Sequence, residues 1–170
     1  DKGKILEGID GLVTNERGLA LGIKVADCLP VLLFDPRQKI IGLAHAGWKG
    51  VVGGIVPNVL SKMVELGAEP KEVIVGIGPH IGGCCFTAFP ERAGIFRQKF
   101  GDLPGMIYEK LDEFHLDLVV PAAAQLKNMG VQRGNIDIAL TCTSCQNEKF
   151  FSFRKEKTPQ RMLGVISLIN

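Results

Sequence analysis

The feature that most constrains the fold lies within residues 25–50, where two apolar runs are separated by Asp35-Pro36-Arg37-Gln38. Asp suits the first position of a β-turn and Pro pre-sets φ at the second, so the runs are predicted to fold back on each other as an antiparallel hairpin. With Asp35 opposite Gln38, Cys28 falls opposite His45. Directly opposed residues have Cβ atoms about 5 Å apart, close enough for a thiolate–imidazole pair or for joint chelation of one metal. Two features work against that register. A tight two-residue loop prefers positive φ at its first position, which Pro36 cannot adopt, and a loop one residue longer turns the two side chains to opposite faces. Pro30 can also end the ladder before it reaches Cys28.

Around this hairpin the chain alternates strand and helix patterns. Residues 9–14 and 19–25 read as short strands flanking a turn. Residues 51–66 place Val52, Ile55, Val56, Val59, Leu60, Met63 and Val64 at helical spacing before Gly67, with Pro57 marking where the regular part starts. The β-branched run at 72–78 is too short for a helix and reads as a buried strand. A glycine-rich loop at 79–85, a short helix at 91–100 and a second helix at 116–129 follow, the last with Pro121 in its first turn and Gly130 as its stop. A strand at 135–140, a basic loop through Arg161 and a last strand at 165–169 complete the pattern. With no repeat and no linker, the prediction is one α/β domain over residues 1–170, a layered sandwich of mixed sheet and flanking helices.

Composition narrows the partners. The net charge of +2 is too small for an electrostatic footprint on nucleic acid, and aromatic residues are only 6% of the chain, which argues against a stacking platform for single strands. No apolar run approaches the roughly 20 residues of a membrane span. Five cysteines is an odd number, unevenly placed, so a disulfide scaffold is not expected and a reducing, cytoplasmic setting is.

Cys28 and His45 are the first chemical candidates, as metal ligands for zinc or copper or as a nucleophile and base. Both sit at expected strand ends, and the small residues Ala46, Gly47 and Gly50 let backbone approach a ligand closely. The alternative is a buried small thiol and a satisfied core histidine. Asp27 is a second-shell orienter, a general base or merely the end of a strand. His80, in its glycine-rich loop, is a pocket residue, and His115 fronts a helix as a structural group. Arg154 and Arg161 are anion forks or exposed charges. Cys84 and Cys85 are adjacent, so at least one is expected to be core or wall. Cys142 and Cys145 have C-x-x-C spacing, but a zinc ribbon wants a second such pair and the sequence has none, which leaves a redox dithiol as the other reading.

These motifs, taken in order, resemble the laccase-domain family, the YfiH-like proteins of multicopper polyphenol oxidoreductase type. Ala26-Asp27-Cys28-Leu29-Pro30 resembles its ADC-P element. The run from His45 to Gly50 resembles its HAGWRG element, with Lys49 where Arg is usual. Residues 77–86 are similar to its GPxIGxCCY loop, and residues 10–13 to its DALV start. Residues 116–118, 141–143 and 150–154 fall in the family's order as well.

The resemblance implies a purine-nucleoside enzyme, one that phosphorolyses adenosine, inosine and methylthioadenosine and deaminates adenosine. It implies a metal, usually zinc, held by two His and one Cys, of which Cys28 and His45 match two. The third, a His in a Q-x-H element, is expected upstream of Asp1, so the chain is expected to lack the N-terminal part of its domain; His80 is the alternative donor. For phosphate, Lys49, Arg154 and Arg161 are the candidate cradle. Three other functions stand beside this one: a copper-dependent polyphenol oxidase, for which three histidines supply too few ligands; a Cys–His hydrolase; and an inactive binding module.

Overall fold

The computed structural model describes residues 3–169. Its centre is a five-stranded sheet whose strands are β1 (Gly11–Thr14), β3 (Leu29–Asp35), β4 (Ile40–Ala46), β5 (Ile74–Ile77) and β9 (Ile136–Ile138), in the spatial order β1-β4-β3-β5-β9. The remaining elements are β2 (Ala20–Val25), β6 (Thr87–Ala88), β7 (Ile107–Lys110), β8 (Glu113–Leu116) and β10 (Met162–Ser167), with helices α1 (Trp48–Gly53), α2 (Ile55–Glu65), α3 (Pro90–Phe100), α4 (Val119–Asn128) and α5 (Phe153–Glu156). β5 and β9 run parallel, while β1, β4, β3 and β5 pair antiparallel, so the sheet is mixed. It is the expected α/β architecture.

The predicted hairpin forms from β3 and β4, but in a different register. Asp35 pairs with Ile40, which puts Pro30 opposite His45 and Leu29 opposite Ala46. The physical reason is the turn. The Asp35 carboxylate accepts from the backbone N–H groups of Arg37 and Gln38, at 2.8 and 2.9 Å, and closes a longer loop that tolerates Pro36. Lys39, with φ 55°, completes it. Pro30 remains in the ladder and does not end it.

The hairpin strands are apolar on both faces because both are covered. On one face Leu29, Val31, Leu33, Ile40 and Ala44 join Val56, Val59, Leu60 and Met63 of α2 and Leu126 of α4 in the main core. On the other, Ile41 and Leu43 pack under a two-stranded ribbon of β2 and β10, with Leu21, Ile23, Val25 and Leu168. Thus the strands expected at 9–14 and 19–25 form as Gly11–Thr14 and Ala20–Val25, yet they pair with β4 and β10 and not with each other.

Two helix expectations are corrected. The 51–66 pattern is two helices, broken at Gly54, whose φ of 78° is a left-handed conformation that glycine adopts without a Cβ penalty. The second predicted helix starts at Val119, where the Asp117 carboxylate accepts from the Val119 N–H at 2.9 Å. His115 therefore lies on β8, its Nδ1 2.7 Å from the Gly83 carbonyl and its ring stacked on Tyr108. The three-stranded sheet β6-β8-β7 to which it belongs was not expected from the sequence. Among the described residues no helix is long and apolar enough to cross a membrane.

Candidate active site

One edge of the central sheet gathers the chemistry. β3 starts there, and β4, β5 and β9 end there, so the loops carrying Cys28, the run after His45, residues 78–86 and residues 139–154 all leave the sheet together. Asp27 ties three of them. Its carbonyl accepts from the Ile81 N–H at 2.8 Å. Its carboxylate accepts from the Thr143 hydroxyl and from the Arg154 backbone N–H, both at 2.6 Å. Asp27 sits at φ 83°, a left-handed conformation that aspartate tolerates better than most residues, and its side chain is buried. With both oxygens engaged, the carboxylate is built into the walls as an orienting group.

Cys28 and His45 do come together, though not as opposed residues. Cys28 lies just outside the ladder beside Gly47, where a Cβ would stand 3.0 Å from the Cys28 sulfur; only glycine leaves that space open. The His45 ring is fixed from its other side, with Nδ1 2.8 Å from an Asp10 carboxylate oxygen, while the His45 N–H donates to the Asp10 carbonyl at 2.8 Å. A hydrogen bond with the Cys28 side chain is the largest influence on the ring, and with Asp10 it outweighs burial and holds the imidazole pKa up at about 9. In the sequence Asp10 stands out only as the first residue of a motif; its place immediately ahead of a strand that pairs with β4 is the signal for this role.

A sulfur and an imidazole nitrogen, the imidazole steered through its other nitrogen by a carboxylate, fit a zinc-class ion. Among the described residues no third His, Cys, Asp or Glu completes a group of ligands around Cys28 and His45. His80 is not within such a group either; its ring is buried, with Nδ1 2.8 Å from the Gly78 carbonyl.

Cys28 and Asp27 line a cleft of about 640 Å³ together with Trp48, Phe86, Phe153, Arg92 and Arg154. His45 and Asp10 face a second cleft, of about 680 Å³. In the first, the Arg92 and Arg154 guanidiniums both lie against the Phe86 ring, at 5.8 and 5.1 Å from its centroid, and Arg92 also stacks on Trp48 at 4.6 Å. Neither arginine is in a salt bridge among the described residues. Burial and, after it, the neighbouring Arg154 charge both push the Arg92 pKa down. Arg154 is positioned by donating to the Thr87 hydroxyl at 2.8 Å and to the Thr87 carbonyl. Of the other cations singled out from the sequence, Lys49 is exposed over Trp48, and Arg161 is exposed over Phe153 with its guanidinium on the Thr158 and Gln160 carbonyls. Neither lines the cleft. Arg92, three residues into a helix of weak amphipathicity, carried no sequence signal of this role.

The four remaining cysteines also meet. Cys84, Cys85, Cys142 and Cys145 place their sulfurs within 4.8 Å of one another, so the adjacent pair stands in for the second C-x-x-C that the sequence lacks, while Cys85 also packs against the core as expected of one of the two. The reason is a tight turn, in which the Gly82 carbonyl accepts from the N–H groups of Cys85 and Phe86 and swings both side chains to one side.

Comparison with known proteins places this geometry. Purine nucleoside phosphorylase YlmD of Geobacillus stearothermophilus is 34% identical over 163 residues, covering 94% of this chain and 60% of that protein. Adenosine deaminase RL5, from an unknown prokaryotic organism, is 34% identical over 152 residues, 88% of this chain and 58% of its own length. The crystal structure of YlmD from G. stearothermophilus superposes with a TM-score of 0.86 at 36% identity, over 96% of this chain and 62% of that one. The chain thus spans about 60% of the length of the curated relatives it matches. The profile of the multi-copper polyphenol oxidoreductase laccases matches residues 1–169, and with the fold and the motif order in agreement, this chain belongs to that laccase-domain family.

Proposed function

We propose that this chain carries the nucleoside site of a metal-dependent purine nucleoside phosphorylase acting on adenosine, inosine and methylthioadenosine, with adenosine deamination as a second activity. The observation that carries the reading is the cleft, where Cys28 shares a wall with aromatic rings and with two arginines that form no salt bridge among the described residues. Aromatic faces bind a flat purine, and Phe89 at the rim, 73% exposed, offers an open one. Relatives named purine nucleoside phosphorylase and adenosine deaminase support the substrate class.

Phosphorolysis breaks the bond between the ribose C1′ and the purine nitrogen as a phosphate oxygen bonds to C1′; the bond's electron pair leaves with the purine, which gains a proton. The chain's part is electrostatic and positional. Arg92 and Arg154 hold the phosphate charge, with planar guanidiniums that match its oxygens. Asp27 fixes the backbone of Arg154, and Thr87 aims its guanidinium. Cys28 and His45 would hold the metal, with Asp10 keeping the imidazole in place. A zinc-class ion there supplies Lewis-acid charge stabilisation or an activated water for deamination; copper is the alternative occupant.

The test is hypoxanthine release from inosine by the zinc-loaded protein, with and without phosphate, beside inosine formation from adenosine. Phosphate-dependent release with ribose 1-phosphate as co-product is the expected result. Release that ignores phosphate, or none at all, rejects the phosphorylase reading.

A further inference from the structure

The four-cysteine cluster lies outside the proposed nucleoside site and includes neither Cys28 nor His45. We propose that Cys84, Cys85, Cys142 and Cys145 form a second metal centre, a tetrathiolate site for one zinc-class ion that locks the two loops forming the cleft wall.

The donor arrangement is the first argument. Zinc bound by four thiolates at about 2.3 Å in a tetrahedron separates its sulfurs by about 3.8 Å. Here Cys145 Sγ lies 3.6 Å from Cys84 Sγ and 3.4 Å from Cys85 Sγ, and all four sulfurs fall within 4.8 Å of one another. All four are free thiols. The site closes with small movements of side chains.

The backbone around the cluster is the second. Each cysteine pair sits on its own tight turn: Gly82 accepts from Cys85 and Phe86, and the Cys142 carbonyl accepts from the Gln146 N–H at 3.1 Å. The two turns are fastened by a parallel bridge between His80 and Cys142, with the Thr143 N–H donating to the His80 carbonyl at 2.9 Å. The Gly82 N–H donates to Cys142 Sγ at 3.3 Å, the kind of contact that offsets thiolate charge. A Cβ on Gly82 would stand 3.3 Å from Cys84 Sγ and 3.7 Å from Cys142 Sγ, so glycine keeps the centre of the cluster open.

Binding is a simple exchange: one divalent ion enters, four thiol protons leave, and the centre carries a net charge of two minus, with no change of oxidation state. The consequence is mechanical. One turn leads directly into Phe86 and Thr87, and the other carries Thr143, the partner of Asp27. A metal between them holds the cleft wall without touching substrate. This assignment does not depend on the nucleoside reading.

Zinc content, zinc-edge X-ray absorption and cysteine alkylation of the reduced protein test it, with Cys28→Ser as background to remove the other candidate ion. Cys28→Ser is expected to keep one zinc with four sulfur neighbours at about 2.3 Å. Adding Cys145→Ser, at an exposed position, is expected to lower zinc affinity at least ~10-fold. In the unmutated protein, zinc is expected to shield Cys84 and Cys145 from alkylation and chelation to expose them, a readout that requires no variant to fold. The proposal is overturned if Cys28→Ser holds no zinc while its thiols are reduced. A shell dominated by nitrogen or oxygen, or alkylation rates of Cys84 and Cys145 that zinc leaves unchanged, overturns it equally.

Discussion

The Asp10 carboxylate stands 2.8 Å from Nδ1 of His45, although 35 residues separate them, because β1 lies directly beside β4 in the sheet. The ring is thereby gripped between Asp10 and Cys28. In the metal-free protein that grip raises the His45 pKa from 6.5 to about 9, the Cys28 hydrogen bond being the larger cause. A raised folded-state pKa means the imidazolium stabilises the fold. The contribution is full below pH 6.5 and fades as pH rises through about 9. NMR titration of the metal-free protein checks this: His45 is expected to titrate near pH 9 and to fall toward its ordinary value in Cys28→Ser, more than in Asp10→Asn. A midpoint near 6.5 in the unmutated protein would contradict the arrangement.

Asp27 joins three loops through one buried carboxylate and one carbonyl. Asp27→Ala removes acceptors for two donors and puts alanine at a positive φ, so unfolding free energy is expected to drop by about 2–4 kcal/mol in urea titration. Asp27→Asn keeps the shape and the tolerated backbone and should cost less. Equal stability of all three proteins would show that the carboxylate fastens nothing.

Helix α2 can approach the sheet because Gly42 has no side chain. A Cβ there would come within 2.7 Å of Met63 Sδ and 2.8 Å of a Val59 methyl. Met63 can bend away, but Val59 cannot without moving the helix. Gly42→Ala is therefore expected to cost about 1–3 kcal/mol while leaving the secondary structure content intact, measured by denaturant melts and circular dichroism. A stabilised variant would refute the close-approach account.

The arginine pair separates the cleft from the surface charges around it. Under the proposed phosphorolysis, Arg92→Ala and Arg154→Ala each lose charged hydrogen bonds to phosphate, so the KM for phosphate is expected to rise roughly 10- to 100-fold. Arg161→Ala, which points its guanidinium at backbone carbonyls outside the cleft, should change it less than about 2-fold. The reverse ranking would move the anion site to the basic loop.

Much of the architecture was legible in local pattern. Apolar runs and turn chemistry mark β3 and β4, helical spacing marks α2, and the motif order identifies the family, because each of these depends on residues close in sequence. Register escaped, since the Asp35 carboxylate accepts two backbone N–H groups of its own turn, which lengthens the loop and shifts every partner. The breaking of the 51–66 helix at Gly54 escaped for a similar reason, as a single left-handed residue outweighs sixteen positions of periodicity.

Sequence by itself singled out Cys28 and His45 as a candidate pair and marked the cysteines at 84–85 and 142–145 without joining them. Only the tertiary structure decided their company. Asp10 reaches His45 across β1 and β4, Arg92 meets Arg154 on the ring of Phe86, and two cysteine pairs about 60 residues apart close on one point. Such encounters depend on which strands lie side by side and on which edge of the sheet the loops emerge. Both are set by the burial of distant apolar faces and leave no periodic trace at the functional residues themselves.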